Sequence, residues 1–461
     1  MNAYLSSIWH RISRHTKKGG LFFFFRLVYS ADLWIRRRFT KPGLLILGAL
    51  IATAVVGIDT KQTVAYKGFA FLLSLILISI AINIFPRMRF TATRVLPRFG
   101  TVDETLYYLV HLHNKSRKPQ RCLSFFENIE ESLPSFEEFL NAQEPLEKKR
   151  NLFDRAIGYH RFLWLISQRK KAQAHELPVP TVHPATKEEI RAGIIPRQRG
   201  YLKLKGMTLC RPDPFGLFKS FLYIAREDSI LVLPKLYPVP QVNLPGSRVY
   251  QSGGVALASS VGDSEEFISL RDYLPGDPLR KIHWRSWAKT GKPVVREYHD
   301  EFFIRHALVL DTFLTTEYSE IFEEAVSVAA SFVYSMKTPE SLLDLLFVEE
   351  KAYCFTSGRG LSHTDKMLEI LASVKTCKHK EFSVLSSLII ERASMLSNCI
   401  IIFLTWDNER KEFIRRLEEL DIPLLVMVIT DHALSLPHDA DYQENFHILE
   451  VGKIEEGLAQ L

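Results

Sequence analysis

The chain has 461 residues, of which 47% are hydrophobic and 24% charged, and its formal net charge is +7. This length and apolar content allow several folded domains with substantial cores, which excludes a chain that is disordered throughout. The five cysteines are odd in number and lack CxxC spacing, so we expect neither a disulfide framework nor a structural zinc site.

The basic excess is concentrated at the N terminus. Residues 1–42 contain nine Lys or Arg residues against one acid, Asp32. Such an asymmetry is typical of contact with a membrane surface or nucleic acid at one end of a chain. We therefore interpret residues 1–41 as a basic juxtamembrane arm.

Two uncharged apolar runs follow, at 43–58 and 68–85, with mostly polar residues between them. A helix needs about 20 apolar residues to cross a bilayer, and about 17 are tolerated. We expect a transmembrane hairpin over 42–90. A hairpin buried in a soluble core is the alternative.

Charge indicates the orientation of the hairpin. Basic residues precede the first run and follow the second, namely Arg36, Arg37, Arg38 and Lys41, then Arg87, Arg89, Arg94 and Arg98. Because basic flanks stay on the cytoplasmic side, both termini should be cytoplasmic. Residues 21–38 should lie along the inner bilayer surface with their aromatic rings at the headgroups, or else form a soluble helix.

The pattern changes to period two after the hairpin. Leu106, Tyr108, Val110 and Leu112 alternate with other residues, as in a half-buried strand. Residues 91–245 therefore predict a β-rich, sandwich-like module, interrupted by a charged helical insertion at about 134–186. We interpret His111 and His113, on the other face of this strand, as solvated strand histidines rather than metal ligands.

Residues 301–461 alternate continuous apolar strands with amphipathic helices. This order is typical of a doubly wound parallel sheet with helices on both faces.

The intervening segment, 246–300, contains a run whose charge changes sign near Asp277. Asp277 suits an N-cap, the following proline suits a first helical position, and Gly291 suits a helix exit, which together predict a helix of about three turns. On that helix Leu279, His283 and Trp287 would form an apolar side. Lys281, Arg285 and Lys289 would form a basic side facing solvent or a partner.

Two motifs carry a family resemblance. They are LRDYLPGDPLRKIHW at 270–284, preceded by Glu266, and RPDPFGLF at 211–218. With the apolar hairpin and the α/β domain, they make the chain resemble the bacterial family known as domain of unknown function 58. The signature residues are Glu266, Arg271, Asp272, Tyr273, Gly276, Asp277, Arg280 and Trp284.

The resemblance implies a C-terminal von Willebrand A-like domain and association with a MoxR-type AAA+ ATPase. We expect Arg271 or Arg280 to pair with Asp272, Asp277 or Glu266 at a seam between the β-rich module and the terminal domain. Von Willebrand A domains bind Mg²⁺ through oxygen ligands. Asp311, Thr315 and Asp407 occupy corresponding positions, but Phe313 replaces a serine ligand, so any Mg²⁺ site here would be degenerate.

Recognised catalytic motifs and a phosphate-binding loop are missing from the sequence. We therefore expect a non-enzymatic adaptor in the bacterial inner membrane that presents its terminal domain to a cytoplasmic ATPase during assembly or maturation of protein complexes. The alternative is a membrane-bound hydrolase that uses acids of the signature segment. Nucleic acid is not expected as a partner, because the local acids would repel phosphate.

Overall fold

The computed structural model describes residues 2–56, 63–83, 88–142, 144, 147, 150–240, 267–275, 277, 279, 282–298, 304–314, 318–336, 341–357, 361–431 and 445–461. The chain divides into two compact units, Met1–Leu233 and Pro234–Leu461. Both units contain helices and strands, so this is a mixed α/β, multidomain protein.

The first unit begins with three helices, α1 (Asn2–Arg38), α2 (Lys41–Val56) and α3 (Thr63–Asn83). Within α3, Val64–Asn83 spans 20 residues with a mean hydropathy of 2.1. Among the described residues this is the one helix long and apolar enough to cross a membrane. Helix α2 is apolar but has only 16 residues. Both predicted apolar segments are thus helical, and one of them reaches the length of a span.

A β-rich region completes the first unit. Its elements are β1 (Phe90–Val95), β2 (Phe99–Thr101), β3 (Leu106–Asn114), β4 (Leu123–Ile129), α4 (Phe136–Asn141), α5 (Leu152–Ile157), α6 (Tyr159–Arg169), β5 (Ala172–Ala174), β6 (Leu177–Val179), β7 (Lys187–Pro196), β8 (Gly200–Pro212) and β9 (Lys219–Leu233). One sheet has the order β1-β3-β7-β5 and a second has the order β2-β9-β8-β4-β6. Helices α4, α5 and α6 lie within residues 134–186, the range predicted as a helical insertion, and the short strands β5 and β6 lie in the same range.

The two sheets contribute to one hydrophobic core. Strand β3 buries Leu106, Tyr108, Val110 and Leu112, as the alternation predicts. Strand β7 was not predicted, although its residues at 190, 192 and 194 are apolar, alternate with less buried positions, and are all buried. The neighbouring prolines obscured a period-two signal that was present in the sequence.

A buried ionic network crosses this core. The Arg94 guanidinium lies 2.6 Å from Glu127 and 2.5 Å from Asp228. The Tyr108 hydroxyl donates to Glu127 at 2.6 Å. Each buried charge thus has an opposite charge or a donor, which a low-dielectric interior requires.

The second unit contains β10 (Phe267–Asp272), α7 (Trp284–Thr290), β11 (Val294–Tyr298), β12 (Ile304–Leu310), α8 (Glu320–Ser335), β13 (Ser341–Val348), β14 (Ala352–Ser357), α9 (Leu361–Ser373), α10 (Ser383–Arg392), β15 (Asn398–Phe403), α11 (Asn408–Glu419), β16 (Leu424–Thr430), β17 (Phe446–Glu450) and α12 (Ile454–Leu458). Its main sheet has the order β14-β13-β12-β15-β16-β17. Among the described strands of this sheet, the β13–β14 pair is antiparallel and the other four pairs are parallel.

The central strands of this sheet are buried from end to end, as their continuous apolar sequences indicate. Side chains from β12, β15 and β16 pack with α10 and α11 in one cluster. Helix α8 also contacts these three strands. The parallel arrangement brings the carboxyl ends of β12 and β15 to the same edge, where Asp311 and Asp407 follow them.

Candidate functional site

The signature segment forms an antiparallel hairpin within the second unit. Strand β10 pairs with β11, with Arg271 opposite Val295 and Asp272 opposite Val294. The chain between the two strands contains α7. The described signature residues Arg271, Asp272, Tyr273, Asp277 and Trp284 therefore lie on β10 or between the two paired strands.

Arg271 and Asp277 form a bidentate ion pair. The two guanidinium nitrogens Nη1 and Nη2 each lie 2.8 Å from a carboxylate oxygen of Asp277. The backbone N–H of Leu274 also donates to this carboxylate, at 2.9 Å. This pairing is among those expected from the sequence. This ion pair closes the loop after β10, because it joins the first and the last residue of the seven-residue stretch 271–277.

The other signature residues have simpler surroundings. Asp272 ends β10 and is exposed, and the N–H of Tyr273 donates to Pro293 at 3.0 Å. Trp284 is exposed and stacks on Trp287 with ring centroids 5.3 Å apart. Glu266, Gly276, Arg280 and Lys281 lie outside the described residues.

The prediction of a three-turn helix starting after Asp277 was wrong. Helix α7 has seven residues and begins at Trp284. The buried residue Ile282 bridges to Val295 of β11, and the N–H of His283 donates to Val294 at 2.8 Å. These strand-like contacts require an extended backbone, so the helix cannot begin earlier. Asp277 therefore does not cap α7, and its carboxylate binds Arg271.

The expected helix exit is confirmed. Gly291 has a φ of 68°, and its N–H donates to Trp287 at 2.9 Å. The basic side of the helix is shorter than predicted: Arg285 and Lys289 lie one turn apart on α7 and are exposed, whereas position 281 precedes the helix. Leu279 also precedes it and is exposed, so the predicted apolar side of this helix does not form.

Asp311 is completely buried at the carboxyl end of β12. Arg410 of α11 contacts its Oδ2 atom through Nε at 2.8 Å and Nη2 at 2.7 Å. The backbone N–H groups of Phe313 and Leu404 donate to the same carboxylate at 3.0 and 3.3 Å. Burial raises the pKa of the Asp311 carboxyl, and the Arg410 charge and these donors oppose that rise.

Asp407 is the N-cap of α11 and accepts from the N–H of Arg410 at 3.0 Å. Its other oxygen binds Nη1 of Arg410. One guanidinium therefore joins Asp311 and Asp407, the two carboxylates predicted as metal ligands, and it packs over the Phe382 ring at 4.8 Å. The third predicted ligand, Thr315, lies outside the described residues.

This donor set does not fit a divalent cation. Carboxylate oxygens suit Mg²⁺, but a buried, permanently charged side chain already bridges these two. Among the described residues, no three His, Cys, Asp or Glu side chains are grouped so that they could hold a metal ion. Arg410 was not singled out in the sequence. Its burial could have been predicted from the spacing. Arg410 lies three residues before Phe413 and seven before Leu417, which places it on the buried face of α11.

The second motif forms a turn between β8 and β9 in the first unit. The Asp213 carboxylate accepts from the backbone N–H groups of Phe215, Leu217 and Phe218 at 3.2, 2.7 and 2.9 Å. Its own N–H donates to Phe218 at 2.8 Å. We call residues 213–218 the Asp213 turn.

The Asp213 turn binds the ends of both apolar helices. The carbonyl of Leu217 accepts from the N–H of Thr40, just before α2, at 3.0 Å. The carbonyl of Phe218 accepts from the Asn83 side chain, at the end of α3, at 3.1 Å. Gly43 passes so close that a Cβ there would lie 2.1 Å from the Leu217 carbonyl oxygen. Thr40, Gly43 and Asn83 were not predicted as functional residues, because nothing local links them to a motif more than 130 residues away.

Burial works against nucleophilic reactivity in two of the thiols, Cys210 and Cys399. Burial raises the pKa of Cys210 to about 12 and also raises that of Cys399. A catalytic cysteine requires the opposite shift.

The fold and these sites define a multidomain α/β protein with a β-rich region and an apolar helix of membrane-spanning length. A family model described as "Protein of unknown function DUF58" matches residues 269–397, which run from β10 to the residue before β15. The Bacillus subtilis (strain 168) protein "Uncharacterized protein YeaD" is 26% identical over 163 residues, which cover 35% of this chain and 39% of that relative. Residues 269–397 are therefore similar to that family, and the match covers less than a third of the chain.

Matches to solved structures are weak. The CARDB domain of the PF1109 protein from Pyrococcus furiosus is 12% identical and covers 32% of this chain and 96% of its own, with a TM-score of 0.17. The ASH/PapD-like domain of human CEP192 is 10% identical and covers 32% of this chain and 89% of its own, with a TM-score of 0.18. Superpositions of this quality carry no argument about fold or function.

Proposed function

We propose that the protein is a non-enzymatic adaptor of the bacterial inner membrane. It is anchored by α2 and α3 as two spans with both termini in the cytoplasm. It presents a von Willebrand A-like domain to a MoxR-type AAA+ ATPase in the assembly or maturation of protein complexes.

Membrane anchoring is supported by the apolar helices and their flanking charges. Helix α3 has the length of a span, and α2, although shorter, begins three residues after the basic end of α1. The Asp213 turn binds the start of α2 and the end of α3, so these two ends lie on one side of the hairpin. Arginines at these ends would keep that side in the cytoplasm.

The observation that carries the non-enzymatic part is the pairing of the conspicuous carboxylates with arginines. Asp277 binds Arg271, while Asp311 and Asp407 bind Arg410. Carboxylates engaged in this way are poor general bases or metal ligands, because each would first have to leave its partner. This favours an architectural role over the hydrolase alternative, for which Asp277 was a leading acid.

The partner surface of this proposal includes α7. Arg285 and Lys289 are exposed, and Trp284 beside them exposes most of its ring. Exposed Arg and Trp are enriched at the centres of protein interfaces. The sequence resemblance, and not the geometry, suggests that this partner is a AAA+ ATPase.

Affinity capture from detergent-solubilised membranes tests the proposal. Tagged full-length protein should retain a AAA+ ATPase, more strongly with a non-hydrolysable ATP analogue. The double variant Arg285→Glu/Lys289→Glu should lose it. The control Arg415→Glu/Arg416→Glu, which reverses two exposed charges on α11, should not.

Failure to recover any AAA+ ATPase in either nucleotide state would contradict the partner assignment. Equal recovery of the ATPase by the two double variants would contradict only the role of α7 and not the partner assignment.

A further inference from the structure

The basic arm and the helical insertion share a small core of their own. Phe22 and Phe25 of α1 are only 6% and 5% exposed, although they lie on a helix with several exposed aromatic residues. They pack against Phe139 of α4 and Phe162 of α6. We call these four residues the aromatic cluster.

The aromatic cluster is closely packed. The Phe22 ring lies 5.4 Å from the Phe139 ring and 5.8 Å from the Phe162 ring, measured between centroids. The Phe25 ring lies 5.9 Å from Phe162 and 5.3 Å from Tyr159. Contacts of this density on one side of α1 determine the rotation of the helix about its own axis.

The opposite side of α1 carries a second apolar set that the described residues leave exposed. Phe23, Phe24, Leu27 and Trp34 are 68%, 57%, 55% and 53% exposed. Phe23, Leu27 and Trp34 follow one another at intervals of four and seven residues, so they form one stripe along the helix. We call these four residues the exposed apolar stripe. Side chains of this size are rarely left in water as a contiguous set.

Two observations and one general preference favour a bilayer surface as the occupant of the stripe. Helix α1 ends at Arg38, and the apolar helix α2 begins at Lys41. The Arg38 guanidinium lies 4.5 Å above the Phe221 ring, and the Trp34 ring lies 6.3 Å from Phe218 of the Asp213 turn. The end of α1 is thus fixed beside the start of α2. Finally, exposed aromatic residues next to arginines are typical of the interface of anionic lipid.

We propose that α1 and the helical insertion form a second membrane contact, which rests on the proposed anchoring by α2 and α3. The exposed apolar stripe lies among the lipid headgroups of the cytoplasmic leaflet. The aromatic cluster holds α1 in the rotation that points the stripe at the lipid. The insertion, whose role the sequence did not reveal, is the part of the first unit that sets this rotation.

Depth-dependent fluorescence quenching tests the orientation of α1. Full-length protein with Cys122→Ser and Cys354→Ser is reconstituted in phosphatidylcholine–phosphatidylglycerol vesicles. A fluorophore is attached at Leu27→Cys, on the stripe, or at Asp32→Cys, seven residues after Phe25 on the docked side. Lipid spin-labelled near its headgroup should quench the probe at position 27 and leave the probe at position 32 largely unquenched.

Equal quenching at the two positions would overturn the proposal, provided that the protein resists carbonate extraction. If a protein covers the stripe instead, the probe at position 27 would escape both the lipid quencher and aqueous iodide, which also overturns it. Release of the chain by carbonate would overturn the membrane anchor itself, and the proposed contact with it.

A second pair of variants tests the role of the aromatic cluster. Phe162→Ala should reduce the difference in quenching between positions 27 and 32, because the part of α1 around Phe22 and Phe25 is then no longer held. Trp164→Ala, on the same helix but outside the cluster, should preserve the difference. A normal difference in Phe162→Ala would show that the insertion does not orient α1.

Discussion

At the scale of single residues, Arg410 explains the arrangement at the carboxyl edge of the second sheet. Its guanidinium contacts a fully buried carboxylate at 2.7 Å and a partly exposed one on the same helix. The two contacts contribute differently to the stability of the fold. An exposed pair contributes little to stability, whereas loss of one partner from a buried pair leaves an uncompensated charge.

We predict that Arg410→Met lowers the free energy of unfolding of the second unit by about 3–5 kcal/mol, because Asp311 is left buried without a counter-charge. Urea-dependent proteolysis of the full-length protein in detergent, followed with a C-terminal tag, measures this change. The control Arg415→Met, at an exposed position of the same helix, should differ from wild type by less than about 0.5 kcal/mol.

Neither Mg²⁺ nor EDTA should shift the wild-type midpoint in the same assay, since the guanidinium already bridges the carboxylates. Stabilisation by Mg²⁺ would contradict this account, as would equal stability of the two variants.

The positions of Asp311 and Asp407 were predictable from the sequence, because each follows a buried apolar strand and the ends of parallel strands meet at one edge. Their arginine partner was not predictable from the sequence. Whether a carboxylate binds a metal ion or an arginine depends on a side chain that arrives from another element, here 99 residues from Asp311.

At the scale of elements, the Asp213 turn joins the β-rich region to the apolar helices. Its geometry is determined locally, by one carboxylate that accepts three backbone N–H groups. Its contacts with Thr40 and Asn83 are long-range. The turn therefore positions two helix ends that are far apart in sequence.

Gly43→Ala tests this junction, because the new methyl group would collide with the Leu217 carbonyl. We expect a loss of about 1–3 kcal/mol, since rigid backbone must move to relieve the overlap. Gly48→Ala provides the matched control, because a Cβ at that position of the same helix meets no atom within 4 Å.

The melting temperature of the purified protein in detergent, read by size-exclusion chromatography after heating, should fall for Gly43→Ala. It should stay or rise for Gly48→Ala, as alanine favours the helix. Equal melting temperatures would mean that the contact between α2 and the Asp213 turn is unimportant.

The start of helix α7 was mispredicted because local capping preferences do not decide it. Asp277 and the proline after it form a good helix start, and Gly291 does end the helix. Pairing of Ile282 with β11 nevertheless delays the start to Trp284. Capping preferences are worth about 1 kcal/mol, and strand pairing of a buried residue outweighs them.

At the scale of the whole molecule, the proposed topology places both units on the cytoplasmic side. Position 61 lies between the two apolar segments and would be outside the membrane. Cys122 is exposed in the first unit and would be inside.

In intact cells, a membrane-impermeant maleimide should label Lys61→Cys and leave Cys122 unmodified until the cells are permeabilised. A Lys61→Ser variant reports the labelling of Cys122 alone. Labelling of Cys122 in intact cells would contradict the proposed orientation.

By itself, the sequence determined the kinds of element and much of their order: two apolar helices, period-two strands, and apolar strands alternating with amphipathic helices. These features depend on the periodicity of burial, which is written into neighbouring residues. The tertiary structure alone decided that Arg410 lies between Asp311 and Asp407, that the Asp213 turn binds the ends of α2 and α3, and that α1 divides its aromatic residues between a core and an exposed stripe. Each of these depends on which distant segments meet, and the chain's topology, rather than any local pattern, decides that.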